Sequence, residues 1–247
     1  MPSERTRSAL FFALLLALPA QAWAGDQFGG FRDYVDRGSL KPFTRDLGGL
    51  LGAAAFHSGR TLGFSGFDIG LRGGYQFSPS RGDEVLRRAG VKGFGLPWVQ
   101  AEIGLPFRMD GFIRGVSFQG VTISGGGLRW GFPKRNDLPN SPNFLLSGVA
   151  HSVVHRDFSA NQYGMNLVAS MGPPAFTPYF GAGFDRTRVV VRDSLLDPTL
   201  AGEGATTLEG RLTAGFSVRP HRFVYLHAAY THTHGRGGAD CGLGVRF

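Results

Sequence analysis

The chain has 247 residues, of which 39 are Gly and 22 are Phe, and only 18% are charged, against about 25% in an average soluble domain. Mean hydropathy is close to zero, which excludes an ordinary helical membrane protein. The one cysteine, Cys241, excludes an internal disulfide, and the formal net charge of +8 makes the chain basic.

Residues 1–24 have the pattern of a secretory signal peptide. Arg5 and Arg7 supply positive charge, residues 9–18 form an apolar core, and small residues lead up to Ala24. The core is too short to span a bilayer, which disfavours a retained membrane anchor. We therefore predict that the chain is exported and that the signal peptide is cleaved near Ala24.

Residues 25–46 alternate poorly, and their apolar residues have a loose helical spacing. We predict a short helix or irregular segment there, at the periplasmic mouth or inside the lumen of the barrel that the later strands indicate. Pro42 is expected to limit the length of such a helix. Residues 47–57 are small and apolar, and we interpret them as the first strand or as part of the N-terminal segment.

Strict alternation begins near residue 64. Phe67, Ile69 and Leu71 fall on one face of a strand, and Asp68 and Arg72 fall on the other. Comparable segments follow at residues 99–107, 144–154, 162–171, 176–185, 207–218, 224–230 and 239–247. Alternating segments of about ten residues separated by turns are typical of a transmembrane β-barrel, with apolar side chains facing lipid and polar ones facing the lumen. A soluble sandwich is the alternative, which the predicted export disfavours.

Residues 107–132 leave two details open. Asp110-Gly111 is a tight-turn signal, although residues 107–118 also read as one continuous strand. In the next strand, residues 121–132, Gly125-Gly126-Gly127 predicts a bulge that changes which face is apolar.

The polar segments between the strands predict the two sides of the membrane. The two long ones are 78–93, in which we expect a helical turn at 83–88, and 192–204. Counting back from the C-terminus places 155–160 and 192–204 outside the cell. Segments 172–175 and 219–222 then lie in the periplasm. Short periplasmic turns and longer external loops are usual in such barrels.

The last strand, residues 239–247, ends the printed sequence on Phe247. It resembles the closing strand of bacterial outer-membrane β-barrels, and this resemblance implies that Phe247 is the signal read by the barrel-assembly machinery.

Several short motifs narrow the resemblance. They are Gly-Leu-Pro at 95–97 and 104–106, Tyr-Gly at 163–164, and Thr-Pro-Tyr-Phe-Gly-Ala-Gly at 177–183. In this order they resemble an uncharacterised family of outer-membrane barrels, over about residues 40–247. The resemblance implies a barrel and an outer-membrane location, but no reaction.

The fold that we predict is all-β, a transmembrane antiparallel up-and-down β-barrel of about 10 strands, with 12 as the alternative because an even number is usual. The predicted divisions are a signal peptide at 1–24, a periplasmic or lumenal segment at 25–46, and the barrel at 47–247. The side chains predicted to line the lumen are Asp68, Arg72, Gln76, Glu102, Asp185, Glu209, Arg211 and Arg246.

Three groups of residues raise the question of catalysis or metal binding. The pairs His57-Ser58 and His151-Ser152 are similar to the His and Ser of lipid A deacylases, but adjacent residues on a strand point to opposite faces. His232 and His234 share a face if both lie on a strand, and could then hold a metal. We favour a pair of surface-exposed histidines over a metal site. We predict no enzymatic activity, no cofactor and no metal.

A charged lumen predicts a small channel for an unknown solute. The alternatives are a structural or surface-interaction barrel whose external loops bind a partner and, third, a lipid A-modifying enzyme. The expected partners are outer-membrane lipid and lipopolysaccharide, because Arg and Lys in the loops suit lipid phosphates. No nucleic-acid partner is expected.

Overall fold

The computed structural model describes residues 26–133 and 141–247, so the predicted signal peptide lies outside the described residues. The described part contains ten strands: β1 Phe67–Gln76, β2 Phe94–Leu105, β3 Met109–Phe118, β4 Val121–Gly131, β5 Asn143–Val154, β6 Phe158–Ser170, β7 Phe176–Val191, β8 Gly204–His221, β9 Val224–Thr233 and β10 Arg236–Arg246. Each strand pairs antiparallel with its neighbours in sequence, and β1 pairs with β10 to close the barrel. The prediction of ten strands is confirmed.

In the part of the chain that the structure describes, three α-helices accompany the strands: α1 Phe31–Tyr34, α2 Arg37–Leu51 and α3 Glu84–Arg88. Asp36 caps α2, because its carboxylate accepts a hydrogen bond from Ser39 N while the Ser39 hydroxyl accepts one from Asp36 N. Pro42 lies inside α2 and does not end it, which corrects our expectation. None of the helices in residues 26–133 and 141–247 is long and apolar enough to cross a membrane.

The interpretation of residues 47–57 as the first strand is wrong. Leu47–Leu51 form the last turns of α2, and the chain from Gly52 to Gly66 contains no strand. The residues of this stretch are small and apolar because the barrel wall surrounds them on every side. The barrel itself begins at Phe67.

The wall of the barrel is apolar outside and polar inside. On β7, Phe176, Phe180 and Phe184 are each about half exposed, whereas Thr177 and Asp185 are buried. The other strands repeat this arrangement over much of their length, which is the reverse of a soluble β-protein. Near the distal end the inner face also carries apolar residues, such as Leu96, Trp98 and Ile123, that pack on residues inside the lumen. An exposed apolar surface that surrounds the whole barrel requires lipid around it.

The connections differ between the two ends of the barrel. We call the end where β1 begins and β10 ends the proximal end, and the opposite end the distal end. The distal connections include the long segments 77–93, which carries α3, and 192–203. The short connections 106–108, 171–175 and 222–223 lie at the proximal end, together with residues 132–133 and 141–142, which follow β4 and precede β5.

No bulge occurs at Gly125-Gly126-Gly127, because the pairing of β4 with both neighbours is continuous there. The apolar pattern still changes face along β4. Val121 and Ile123 point inward near the distal end, where they pack on apolar residues inside the lumen. Gly125 and Gly127 also face inward, and a Cβ at either position would collide with the side chain of His151 or Phe112.

Asp110-Gly111 is not the turn between β2 and β3. Phe107 and Arg108 form it, both with a φ of 61°, in the left-handed region. Asp110 is instead a buried residue of β3 whose carboxylate accepts a hydrogen bond from Leu62 N at 3.0 Å. A side chain with this partner cannot be recognised from local turn propensity.

Candidate functional site

The lumen is occupied by residues 26–62, which we call the plug. The plug begins at the distal end, where Gln27 Nε2 donates to Gly95 O at 2.7 Å. It runs down the lumen to the proximal end, where Gly59 N donates to Ser170 Oγ at 2.9 Å. The segment predicted at residues 25–46 therefore lies inside the lumen from residue 26 onward. It enters from the distal end, whereas Phe247 lies at the proximal end.

An aromatic cluster fixes the distal part of the plug. The ring of Phe31 lies 4.9 Å from that of Phe43 and 4.7 Å from that of Phe158, the first residue of β6. All three side chains are fully buried. Burial of one such side chain is worth about 1.5–3 kcal/mol, so this cluster contributes strongly to holding the plug.

Three wall arginines hold the middle of the plug, and we call Arg114, Arg129 and Arg211 the arginine collar. Arg211 donates to Gly49 O at 2.8 Å. Arg114 donates to Leu51 O at 2.6 Å and to Ala53 O at 3.0 Å. Arg129 donates to Ala55 O at 2.7 Å.

The acceptors of these bonds explain the position of the collar. The last carbonyl groups of a helix have no partner within the helix and carry partial negative charge. In α2 and the residues after it, guanidinium groups supply the missing donors. Charged donors make hydrogen bonds that are roughly twice as strong as neutral ones. The polar inner wall thus binds the backbone of the chain's own N-terminal segment.

Acidic residues of the wall balance the collar. Arg211 Nε lies 2.7 Å from Asp185 Oδ2, and Gln162 also donates to Asp185 at 2.6 Å. Arg129 lies 2.6 Å from a carboxylate oxygen of Glu102, which also contacts Arg72. Every member of these pairs is buried, which makes the loss of one partner costly.

A third cluster fills the proximal half of the lumen. Tyr225 donates to Asp68 at 2.8 Å, and Arg246 lies 3.3 Å from the other oxygen of Asp68. The ring of His57, from the plug, stacks on Tyr225 at 4.4 Å and lies 5.5 Å from the ring of His227. Plug and wall are therefore in contact along the whole lumen.

The structure places the eight predicted lumen residues on the inner side of the wall. Six are buried, whereas Glu209 and Arg246 are partly exposed. Glu209 pairs with Arg45 of the plug at 2.7 Å rather than with Arg211. Phe247 is 68% exposed, and its N–H donates to Phe67 O at 2.8 Å beside the closing pair of strands.

Sequence reasoning missed Arg114 and Arg129. Both occupy inward-facing positions in the alternation of their strands, and Arg129 lies between the outward-facing Leu128 and Trp130. The expected turn at 110–111 and the expected bulge at 125–127 concealed that parity. The parity of β3 and β4 is the signal that could have found them.

The candidate catalytic pairs are dispersed. His57 and Ser58 belong to the plug, and Ser58 Oγ bonds with Arg60. His151 faces the lumen, where it contacts Gln162, while Ser152 faces outward. The described residues contain no group of three or more His, Cys, Asp or Glu arranged to hold a metal.

His232 and His234 do not share a face, because β9 ends between them at Thr233. His232 is exposed, whereas His234 lies in the next turn with its side chain turned inward. His234 Nε2 lies 2.8 Å from Asp46 Oδ1.

Asp46 of α2 and Asp83 of the 77–93 connection are neighbouring carboxyl groups at the distal end, and both are buried. Burial and the neighbouring Asp46 carboxylate raise the pKa of Asp83 to about 9. Burial alone raises the pKa of Asp46, but hydrogen bonds from His234, Asp83, Ser80 and Gln76 outweigh it and leave that pKa below its ordinary value. The opposite directions of the two pKa shifts favour a protonated Asp83 that donates to an ionised Asp46 at neutral pH.

This pair predicts a loss of stability at alkaline pH. Because the pKa of Asp83 is raised in the folded state, its contribution is full below about pH 4 and is lost as pH rises through about 9. We expect a wild-type loss on the order of 1–3 kcal/mol between pH 7 and 10, the cost of an unpaired buried group. Asp83→Asn keeps both a donor for Asp46 and a helix cap, so it should remove most of this dependence. Heat-modifiability on gels across pH measures it.

Asp36→Asn is the matched control, because Asp36 also caps a helix. Hydrogen bonds, chiefly from Ser39 N, lower the pKa of Asp36, so this carboxylate is ionised throughout the alkaline range. The control should retain the wild-type pH dependence. A similar slope in Asp83→Asn would show that the 46–83 pair does not cause it.

Comparisons with known proteins give fold-level likenesses only. Neither a protein-family model nor a curated protein matches the chain. Among solved structures, the N-terminal β-barrel domain of Pseudomonas aeruginosa OprF is 12% identical, with a TM-score of 0.40 over 75% of this chain and 99% of that one. Neisserial surface protein A is 13% identical, with a TM-score of 0.31 over 73% and 95%. Ail of Yersinia pestis is 14% identical, with a TM-score of 0.28 over 74% and 99%.

These scores are low, and the assignment rests on the architecture itself. The ten strands close without a free edge, as a sheet within a membrane requires. Their outward side chains are largely apolar, and their buried inward side chains include the ion-paired Arg72, Arg129 and Arg211. The chain is therefore an antiparallel ten-stranded β-barrel of the bacterial outer-membrane type, with its own N-terminal segment in the lumen.

Proposed function

We propose that this protein is a closed barrel of the bacterial outer membrane that serves as a surface-interaction platform rather than as an open channel. The arginine collar carries this proposal, because the groups that would line a pore are engaged with the plug backbone. Arg72 and Arg211 are each 2% exposed, which leaves them no contact with a water-filled path. The proposed role is non-catalytic.

The platform is the distal surface. It is built from the start of the plug together with connections 77–93 and 192–203, and Leu195 N donates to Arg32 O at 2.8 Å across two of these parts. Arg32 also pairs with Asp193 at 2.8 Å. We place this surface outside the cell, because barrels of this type have their longer loops there.

Reconstitution into planar bilayers tests closure. The full chain should show no steady conductance above the bare membrane, because the plug contacts the wall along the lumen. Deletion of residues 26–51, which removes α2 together with Phe31 and Phe43, should produce a steady conductance. Heat-modifiability on gels would establish that the shortened chain still forms a barrel.

Deletion of residues 194–203 is the matched control, since it shortens a distal loop and leaves α2 in place. This variant should stay closed. A steady conductance of the full chain would contradict the proposal and favour the second candidate, a small channel for an unknown solute. The polar inner wall, including Asp68, Glu102 and Asp185, is the observation that favours that candidate.

A further inference from the structure

The distal rim carries a basic groove between the 77–93 connection and the turn from β9 to β10. Its volume is about 410 Å³. The residues that line it, which define the basic groove, are Ser78, Pro79, Arg81, Arg87, Gly90, Val91, Lys92 and Arg236. Four of these residues are cationic and none is acidic, so the groove is suited to an anion.

The arrangement of the cations is partly fixed. Arg87 donates to the backbone oxygen of Arg81, and Arg236 donates to Ser78 Oγ at 3.4 Å. Glu84, the nearby acid, lies 3.2 Å from Arg88, which does not line the groove, and 4.0 Å from Arg87. Positive charge in the groove is therefore only weakly compensated from within the chain.

Three aromatic residues on the outer wall, Tyr75, Phe77 and Tyr230, show where the groove lies relative to lipid, and we call them the rim aromatics. The rings of Tyr75 and Tyr230 lie 6.1 and 6.4 Å from the ring of Phe77, and all three face outward. Aromatic side chains of this kind occupy the boundary between hydrocarbon and headgroups in membrane barrels.

The rim aromatics and the basic groove are in direct contact. Phe77 precedes Ser78 of the groove, and Phe77 N donates to Gly237 O, next to Arg236, at 3.0 Å. The hydroxyl end of Tyr75 lies against Gly93, which follows Lys92 and has no side chain to displace it. The basic groove thus lies at the level of lipid headgroups, on the distal side of the rim aromatics.

We infer that the basic groove binds a phosphate group on the headgroup of an outer-leaflet lipid. Arginine forms paired hydrogen bonds with phosphate oxygens, and lysine adds a point charge. The inference rests on the proposed function in one respect, the placement of the distal end outside the cell. It extends that proposal by naming a class of ligand for the distal surface, a phosphorylated lipid.

The test uses the full chain in vesicles that contain lipid A with two phosphates, one phosphate or none. Thermal unfolding of the wild type should shift upward with the phosphorylated lipid, most with two phosphates and not at all without phosphate. Arg81→Gln/Lys92→Gln should need at least about tenfold more lipid A for the same shift. Both side chains are exposed, so folding should not suffer.

Arg222→Gln/Arg219→Gln is the charge-matched control, because it removes two cations from the proximal end, where Arg222 contacts Phe223. It should respond like the wild type. Equal lipid dependence in the groove variant would overturn the inference. Competition by millimolar inorganic phosphate would also overturn it, since the groove would then be a general anion site.

The bilayer test and the lipid test fail independently. Lipid is present in both leaflets of these vesicles, so binding does not require a given orientation or a closed lumen. A conducting protein with intact lipid dependence would reject the closed platform alone.

Discussion

Arg211→Ala should lower the free energy of unfolding by about 3–5 kcal/mol, the usual cost of removing one partner of a buried ion pair. Asp185 loses its cation at 2.7 Å and remains 3% exposed among apolar and polar neighbours of the lumen. Gly49 O of the plug loses its charged donor at the same time. Urea titration of the protein folded in lipid vesicles measures the change.

Glu209→Gln is the matched control, two residues away on the same inner face of β8. Glu209 pairs with Arg45 rather than with Arg211, and the side chains of Glu209 and Arg45 are 22% and 41% exposed. Such a pair is worth about 0–1 kcal/mol, so Glu209→Gln should change stability little. Equal losses in the two variants would contradict the separate assignment of their partners.

Gly48→Ala should also destabilise the protein, although alanine is the better helix former. A Cβ at Gly48 would lie 2.3 Å from Thr187 Oγ1 and 3.0 Å from Thr187 Cβ, on the wall strand β7. Overpacking of this kind costs about 1–3 kcal/mol, which exceeds the gain in helix propensity of up to about 1 kcal/mol. The same urea titration should show a net loss, because α2 must move away from the wall.

Gly38→Ala makes the same substitution near the start of α2. There the added Cβ meets only Asp36 Oδ1 at 3.4 Å, an ordinary contact. Stability should stay the same or rise by up to about 1 kcal/mol. The two substitutions should therefore have opposite signs on one helix.

Thr187→Ala supplies a further test of the Gly48 contact. It removes Thr187 Oγ1 and Cγ2, which would crowd a Cβ at Gly48, and keeps Thr187 Cβ. Combined with Gly48→Ala, it should therefore recover part of the lost stability. Residues in direct contact give such non-additive effects. Strict additivity would show that close packing of α2 on β7 is not the cause.

The barrel could be predicted from the sequence because its signal is local and repeated. In most strands the side chains alternate visibly between two surroundings, lipid and lumen, and this period of two can be read without knowledge of any contact. The alternation of Phe176, Phe180 and Phe184 with Thr177 and Asp185 is enough to assign both faces. The polar turns between such segments gave the connections at each end.

Helix α2 could not be predicted in the same way. Residues 47–57 lie inside the lumen, so contacts surround them, and a stretch with one kind of surrounding has no alternating pattern. The Asp36–Ser39 cap was present in the sequence, but Pro42 argued against a long helix. Packing against the wall outweighs that local preference.

The sequence by itself determined the barrel architecture and the two faces of most strands, because lipid and lumen impose a pattern on consecutive residues. Only the tertiary structure decided what fills the lumen and which charges meet there. Arg211 lies beside Asp185, Glu209 beside Arg45, and Asp46 beside Asp83 and His234. These partners are distant in the chain, and nothing in a strand's own period encodes which distant residue it will meet across the barrel.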